Sequence, residues 1–177
     1  MYSDLIAVTN RRLVSGDFLT QLKKNADLKP EALFLREKDV SDGEYLALAR
    51  EVREIFPDMF VCGRIGVARE MGCRRIHLPF GDFLTADLSG FDEVSVSCHS
   101  LEEAKSSSGA DMIVLGTIFE TDCKKGLKGK GLDFLREVCA AVSVPVYAIG
   151  GITPHRLPEI KKAGAAGGCM MSHFMRI

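Results

Sequence analysis

The chain has 177 residues, 46% hydrophobic and 27% charged, the composition of an ordinary globular protein whose core is large enough to need no disulfide or structural metal. Lys and Arg total 23 against 24 Asp and Glu, a formal charge of −1, and there is no Trp, so no nucleic-acid partner is expected. The opening MYSDLIAVTNRR has only a short apolar run before Arg11 and Arg12, which is not the pattern of a signal peptide or membrane span; a cytoplasmic location with no membrane partner is expected.

In chain order, the first β-branched run is Leu5 to Thr9, followed by helical spacing from Asp17 to Asn25. Ala32 to Arg36 precedes Asp42 to Phe56, where Tyr45, Leu48, Ala49, Val52 and Ile55 form one stripe and Asp42 is the expected N-cap. Met59 to Cys62 leads to a helix over Gly66 to Met71, and Arg75 to Leu78 leads to Gly81 to Phe91, too short and glycine-flanked to predict a helix. Glu93 to Cys98 is followed by Leu101 to Ser107, with Ser100 and Glu103 spaced as a capping box. Met112 to Gly116 runs into a glycine- and lysine-rich loop, then a helix over Leu132 to Val142. Val144 to Ile149 precedes Pro154 to Ala163, with Pro154 suited to a first turn, and Gly167 to Met171 is the last run.

Strands alternating with helices imply a parallel sheet covered by helices. Eight such units, with no G-x-G-x-x-G or P-loop fingerprint, favour closure over an open sheet. The predicted fold is α/β, a (β/α)8 TIM barrel formed by residues 1–177 as a single domain. Such barrels usually take about 200 residues or more. Only six residues follow Met171, so the eighth helix is predicted missing or truncated. The eighth strand should then be partly uncovered unless the amino terminus or a partner shields it, which points to a homodimer.

Barrels of this kind gather function where the strands end. In EVSVSCHS the pleat puts Val94, Val96 and Cys98 on one face and Ser95, Ser97 and His99 on the other. With the apolar face toward the helices, His99 points into the mouth, where an imidazole can take and return a proton; a structural hydrogen-bonding His is the alternative. In ALFLREK, alternation groups Phe34, Arg36 and Lys38, two cations suited to a phosphate or carboxylate, unless Arg36 pairs with a neighbouring acid. Gly150 and Gly151 after the seventh run, with Met171 and Ser172 after the eighth, stand where such barrels cradle phosphate; a glycine pair also serves as a plain turn. Thr121, Asp122, Cys123 and Lys124 lie in the loop after the sixth run and are candidates to touch ligand, the alternative being a solvated loop.

Six cysteines stand at 62, 73, 98, 123, 139 and 169 without a CxxC pair or metal-finger spacing, which fits a reduced compartment. Cys73, Cys139 and Cys169 read as small core hydrophobes. Cys62 or Cys98 as a nucleophile has no evident base beside it. Asp82 is a lone carboxylate, His155 and His173 are assigned no role, and His77 is noted only as sitting at a strand end. No metal site is predicted.

LREK at 35–38, SCHSLEEA at 97–104, GTIFETDCKKGLKGKG at 116–131 and VPVYAIGGITPHRL at 144–157 resemble the thiamine phosphate synthase/TenI family nearly from end to end, and within it the TenI branch of thiazole tautomerases. Synthases of the family carry Asn-Asp after the third strand, where the Asp helps bind magnesium; here Cys62 and Gly63 stand there, followed by Arg64. The synthase Gln before the Arg of the second strand and the Gly-Gln after the fourth are replaced by Phe34 and Pro79-Phe80.

Resemblance to that branch implies isomerisation of a carboxylated dihydrothiazole phosphate to the aromatic carboxythiazole phosphate used for thiamin, with no cofactor. It implies that His99 is the acid/base. It further suggests that Arg36, seconded by Lys38, faces the carboxylate, and that Thr121 to Cys123, Gly151, Met171 and Ser172 hold the phosphate. The rivals are a thiamine phosphate synthase and a non-catalytic phosphate-binding relic.

Overall fold

β-Branched and aliphatic residues in runs of three to six build eight strands: β1 (Leu5–Val8), β2 (Ala32–Leu35), β3 (Phe60–Cys62), β4 (Arg75–Pro79), β5 (Glu93–Cys98), β6 (Met112–Gly116), β7 (Val146–Ile149) and β8 (Gly167–Met170). In the computed structural model, which describes residues 2–121 and 128–177, they pair in parallel in sequence order and β8 closes on β1 through Leu5↔Gly168 and Ala7↔Met170. The expected TIM barrel is the fold observed.

Alternation along each strand divides the core in two. Leu33, Leu35, Ile76, Leu78, Val94, Val96 and Cys98 face the surrounding helices, while Ile6, Val8, Phe34, Phe60, Val114 and Tyr147 fill the barrel. The helices are α1 (Phe18–Asp27), α2 (Asp42–Ile55), α3 (Ile65–Glu70), α4 (Phe80–Thr85), α5 (Leu101–Ser106), α6 (Gly131–Ala141), α7 (Leu157–Lys162) and α8 (Ser172–Arg176). From α2, Tyr45 is fully buried; its hydroxyl donates to Leu35 O at 2.5 Å and accepts from the Cys62 N–H at 3.2 Å, tying the ends of β2 and β3.

Three local expectations are corrected. The N-cap of α2 is Ser41, whose hydroxyl accepts from Glu44 N–H at 3.3 Å while the Glu44 carboxylate accepts from Ser41 N–H at 2.8 Å; Asp42 is the first helical residue. Phe80–Thr85 does form a short helix, its half-buried Phe80 and Phe83 packing on the core despite Gly81.

The third correction concerns the eighth unit. The helix after β8 is truncated to five residues, as expected, yet the strand is not left uncovered. β8 reads Gly-Gly-Cys-Met and is buried throughout, packed against α7, while Gln21 Nε2 of α1 holds α8 by donating to Phe174 O at 2.9 Å. Small residues are required there: a Cβ on Gly168 would stand 2.9 Å from Ile152 Cγ2 and 3.0 Å from Ile160 Cδ1. Tyr2 adds the amino-terminal cover, its ring stacked on His173 at 5.7 Å and its hydroxyl 3.1 Å from His173 Nε2. An uncovered strand therefore no longer argues for a dimer.

Candidate functional site

Parallel strands deliver all their carboxyl ends to one rim, and His99 follows β5 directly. It is held at three points. Ser100 caps α5 by accepting from Glu103 N–H at 3.1 Å, and this brings the Glu103 carboxylate within 2.5 Å of the His99 N–H. The His99 ring Nδ1 lies 2.8 Å from Gly116 O at the end of β6, and Lys130 Nζ donates to His99 O. A carbonyl oxygen only accepts, so Nδ1 carries the hydrogen and the neutral ring keeps its lone pair on Nε2. Among the described residues Nε2 has no hydrogen-bond partner, and the residue is exposed. A basic nitrogen at the mouth, with its tautomer set by the backbone of the next strand, is the arrangement acid/base chemistry needs.

The same pleat carries Phe34 inward and sets Arg36 half-buried at the rim, its N–H donating to Thr9 Oγ1 at 2.9 Å. Arg36 and Lys38 make no ion pair among the described residues, so a structural pairing with a neighbouring acid is not what is seen. Glu37, of opposite parity, is 3% exposed and accepts the Arg11 N–H at 3.0 and 3.2 Å. Burial pushes its carboxyl up, opposed by its hydrogen bonds from Thr9 and Arg11. Arg64 lies 4.7 Å over the Tyr45 ring, donating to Val40 O at 2.7 Å and pairing with Asp42.

His77 is a residue that sequence reasoning passed over. Its Nδ1 lies 2.9 Å from Ser95 Oγ and its Nε2 2.8 Å from Ser97 Oγ, with the Phe34 ring 4.6 Å away. Burial, then the charges of Arg36 and Lys38, lower its pKa to about 3. The signal was available: alternation in RIHLP sends Ile76 and Leu78 to the helices and therefore His77 inward, next to Ser95 in register.

This makes a pH prediction. The unfolded chain, with an imidazole pKa near 6.5, binds a proton between that value and about 3 that the folded chain refuses, so stability rises with pH in that window. The contribution of His77 is complete above about pH 6.5 and is lost as pH falls toward 3. In chemical denaturation, His77→Asn should flatten the loss of stability between pH 6 and 4; an unchanged slope would mean His77 is not the group responsible.

Gly150 and Gly151 follow β7 with φ of +98° and +63°, beside Met171 and Ser172 at the end of the neighbouring β8. The loop after β6 lies against them: Ile118 N–H donates to Ile149 O at 2.9 Å and Phe119 N–H to Gly150 O at 3.0 Å. A Cβ on Gly151 would meet Glu120 O at 2.6 Å and Phe119 Cβ at 2.8 Å, so packing alone already demands this glycine. Arg156 reinforces the junction, donating to Gly151 O at 2.8 Å and lying 4.1 Å over the Phe119 ring. Met171 faces the barrel interior, where Asn10 Nδ2 lies 3.7 Å from its sulfur. Thr121 is half-buried in the loop after β6, while Asp122, Cys123 and Lys124 lie outside the described residues.

The thiols do not behave as nucleophiles. Cys98 is buried on the helix side, 3.4 Å from Ser107 Oγ, and burial raises both its pKa and, far more, that of Cys62. Cys73 and Cys169 are buried as expected, whereas Cys139 is only half-buried; all five described cysteines are free. Nor do the described residues fit magnesium. Asp82 is exposed, Cys62 and Gly63 after β3 offer a soft thiol and no carboxylate, and no group of three or more His, Cys, Asp or Glu converges among the described residues. Among them, too, no helix is long and apolar enough to cross a membrane.

A family model described as thiamine monophosphate synthase matches residues 5–174. The chain is 34% identical to a putative thiamine-phosphate synthase 2 of Aquifex aeolicus over 97% of each chain. It is 28% identical to a thiamine-phosphate synthase of Clostridium tetani, over 97% of this chain and 87% of the relative. The solved thiamine phosphate pyrophosphorylase of Pyrococcus furiosus superposes with a TM-score of 0.80 at 26% identity, covering 97% of this chain and 86% of that one. A match spanning the whole barrel, with a relative above 30% identity over nearly its full length, shows that this chain belongs to the thiamine monophosphate synthase family.

Proposed function

We propose that this chain is a thiazole tautomerase, isomerising a carboxylated dihydrothiazole phosphate to the aromatic carboxythiazole phosphate without a metal. The observation that carries the reading is the Nδ1 contact of His99 with Gly116 O at 2.8 Å, which leaves a basic Nε2 at the mouth. Nε2 takes the proton from the ring carbon bearing the carboxylate, and the released electron pair moves into the ring. The exocyclic double bond shifts inward, and its outer carbon receives a proton from the same nitrogen. Atoms and electrons balance, and aromaticity supplies the driving force. Arg36 and Lys38 face the carboxylate and stabilise charge that builds on it. Thr121, with Gly150, Gly151, Met171 and Ser172, holds the phosphate through backbone N–H and hydroxyl groups.

A second reading, thiamine phosphate synthase, is favoured by the names of the relatives, which support synthesis rather than tautomerisation. Against it stand Cys62 and Gly63, where the described residues supply no hard ligand for the magnesium that a departing pyrophosphate needs. Two assays separate the readings. The tautomerase converts the dihydrothiazole phosphate in the presence of a chelator, seen as growth of aromatic ultraviolet absorbance. The synthase releases pyrophosphate from a pyrimidine pyrophosphate and the thiazole phosphate only with Mg²⁺. Pyrophosphate release without aromatisation overturns the proposal in favour of the synthase, and ligand binding without either reaction leaves a binding protein.

A further inference from the structure

We infer that Lys130 is a positioning residue that fixes the ring of His99, an inference resting on the acid/base reading above. The contacts on His99 come from two sources. Glu103 belongs to the first turn of α5 and holds the His99 N–H locally. Gly116 and Lys130 belong to the two ends of the chain excursion between β6 and α6, and they grip the ring and the carbonyl respectively. That excursion is drawn shut behind them: Lys130 N–H donates to Thr117 O at 3.0 Å and Gly131 N–H to Ile118 O at 2.9 Å.

Lys130 is exposed, yet its ammonium is not merely solvated. Besides its bond to His99 O, it stands 4.7 Å from the Phe134 ring centroid, which holds it over the first turn of α6. No carboxylate pairs with it among the described residues, so its charge is directed to the His99 carbonyl. With that grip removed, the carbonyl side of residue 99 is released while Glu103 still holds its N–H, and the ring can shift against Gly116 O, weakening the contact that selects the Nδ1–H tautomer. An Nε2–H ring cannot begin the reaction as a base, so misplacement reads as lost kcat rather than weaker binding.

The test uses the full chain and the variants Lys130→Met and Lys130→Arg. Nitrogen-edited NMR of the ligand-free protein reads the tautomer directly. The native chain is expected to show the Nδ1–H form, Lys130→Met a mixture of both forms, and Lys130→Arg the native form again. In turnover, Lys130→Met should lose about tenfold to a hundredfold in kcat with KM within about twofold. A Lys130→Met protein keeping the native tautomer would overturn the inference. The tautomer is read without substrate, so failure of the aromatisation assay in the native chain would sink the proposed reaction while leaving this inference to stand or fall alone.

Discussion

The substitution His99→Gln is expected to lower turnover of the dihydrothiazole phosphate by about 10²- to 10⁴-fold, the range for removal of a positioned general acid/base, with little change in KM. Glutamine is chosen to spare the fold. His99 is exposed, and the introduced side-chain amide can still donate to Gly116 O, which now accepts Nδ1–H at 2.8 Å. The N–H of residue 99 keeps its bond to Glu103 and its carbonyl keeps Lys130, since both are backbone contacts. Only the titratable nitrogen is lost. Progress curves followed by aromatic absorbance measure the effect, and a variant within about threefold of the native rate would contradict the assignment.

The largest stability effect is expected at Phe174→Ala, which should cost about 3–5 kcal/mol, the range for a buried aromatic truncated in place. Phe174 is fully buried in a five-residue helix whose backbone is tied to α1 by Gln21 Nε2, 2.9 Å from Phe174 O. The ring of Tyr2, 5.6 Å from that of Phe174, cannot follow it into the cavity without giving up its stack on His173. Equilibrium urea unfolding would show the loss as a lower midpoint with an unchanged slope. A change under about 1 kcal/mol would mean that Phe174 is not a packed part of the core.

That same helix marks where sequence reasoning stopped. The strands were legible as short runs alternating with helical stretches, and the facing rule for β5 correctly divided Val94, Val96 and Cys98 from the side carrying Ser95 and Ser97. The rule would also have found His77, but with Pro79 after it the run resembled a strand end rather than a strand interior. Length misled at β8: a short eighth helix reads from sequence as an uncovered strand, yet Ile152 and, from α7, Ile160 already stand against Gly168. Lys130, Asn10 and Arg156 were invisible for a different reason. Each acts through a partner remote in sequence or through a turn whose geometry depends on the closed barrel. The glycine pair at 150–151 was recognised as special, while its tight fit against Phe119 and Glu120 emerges only once β6 and β7 stand side by side.

Saturating the protein with the aromatic carboxythiazole phosphate while recording histidine ring signals by NMR probes the heart of this account. Occupation of the rim should move the His99 resonances, with those of His173, whose ring is stacked on Tyr2, moved less. Ligand that binds tightly yet leaves His99 unmoved would put the bound molecule elsewhere and remove the proton relay from the reaction.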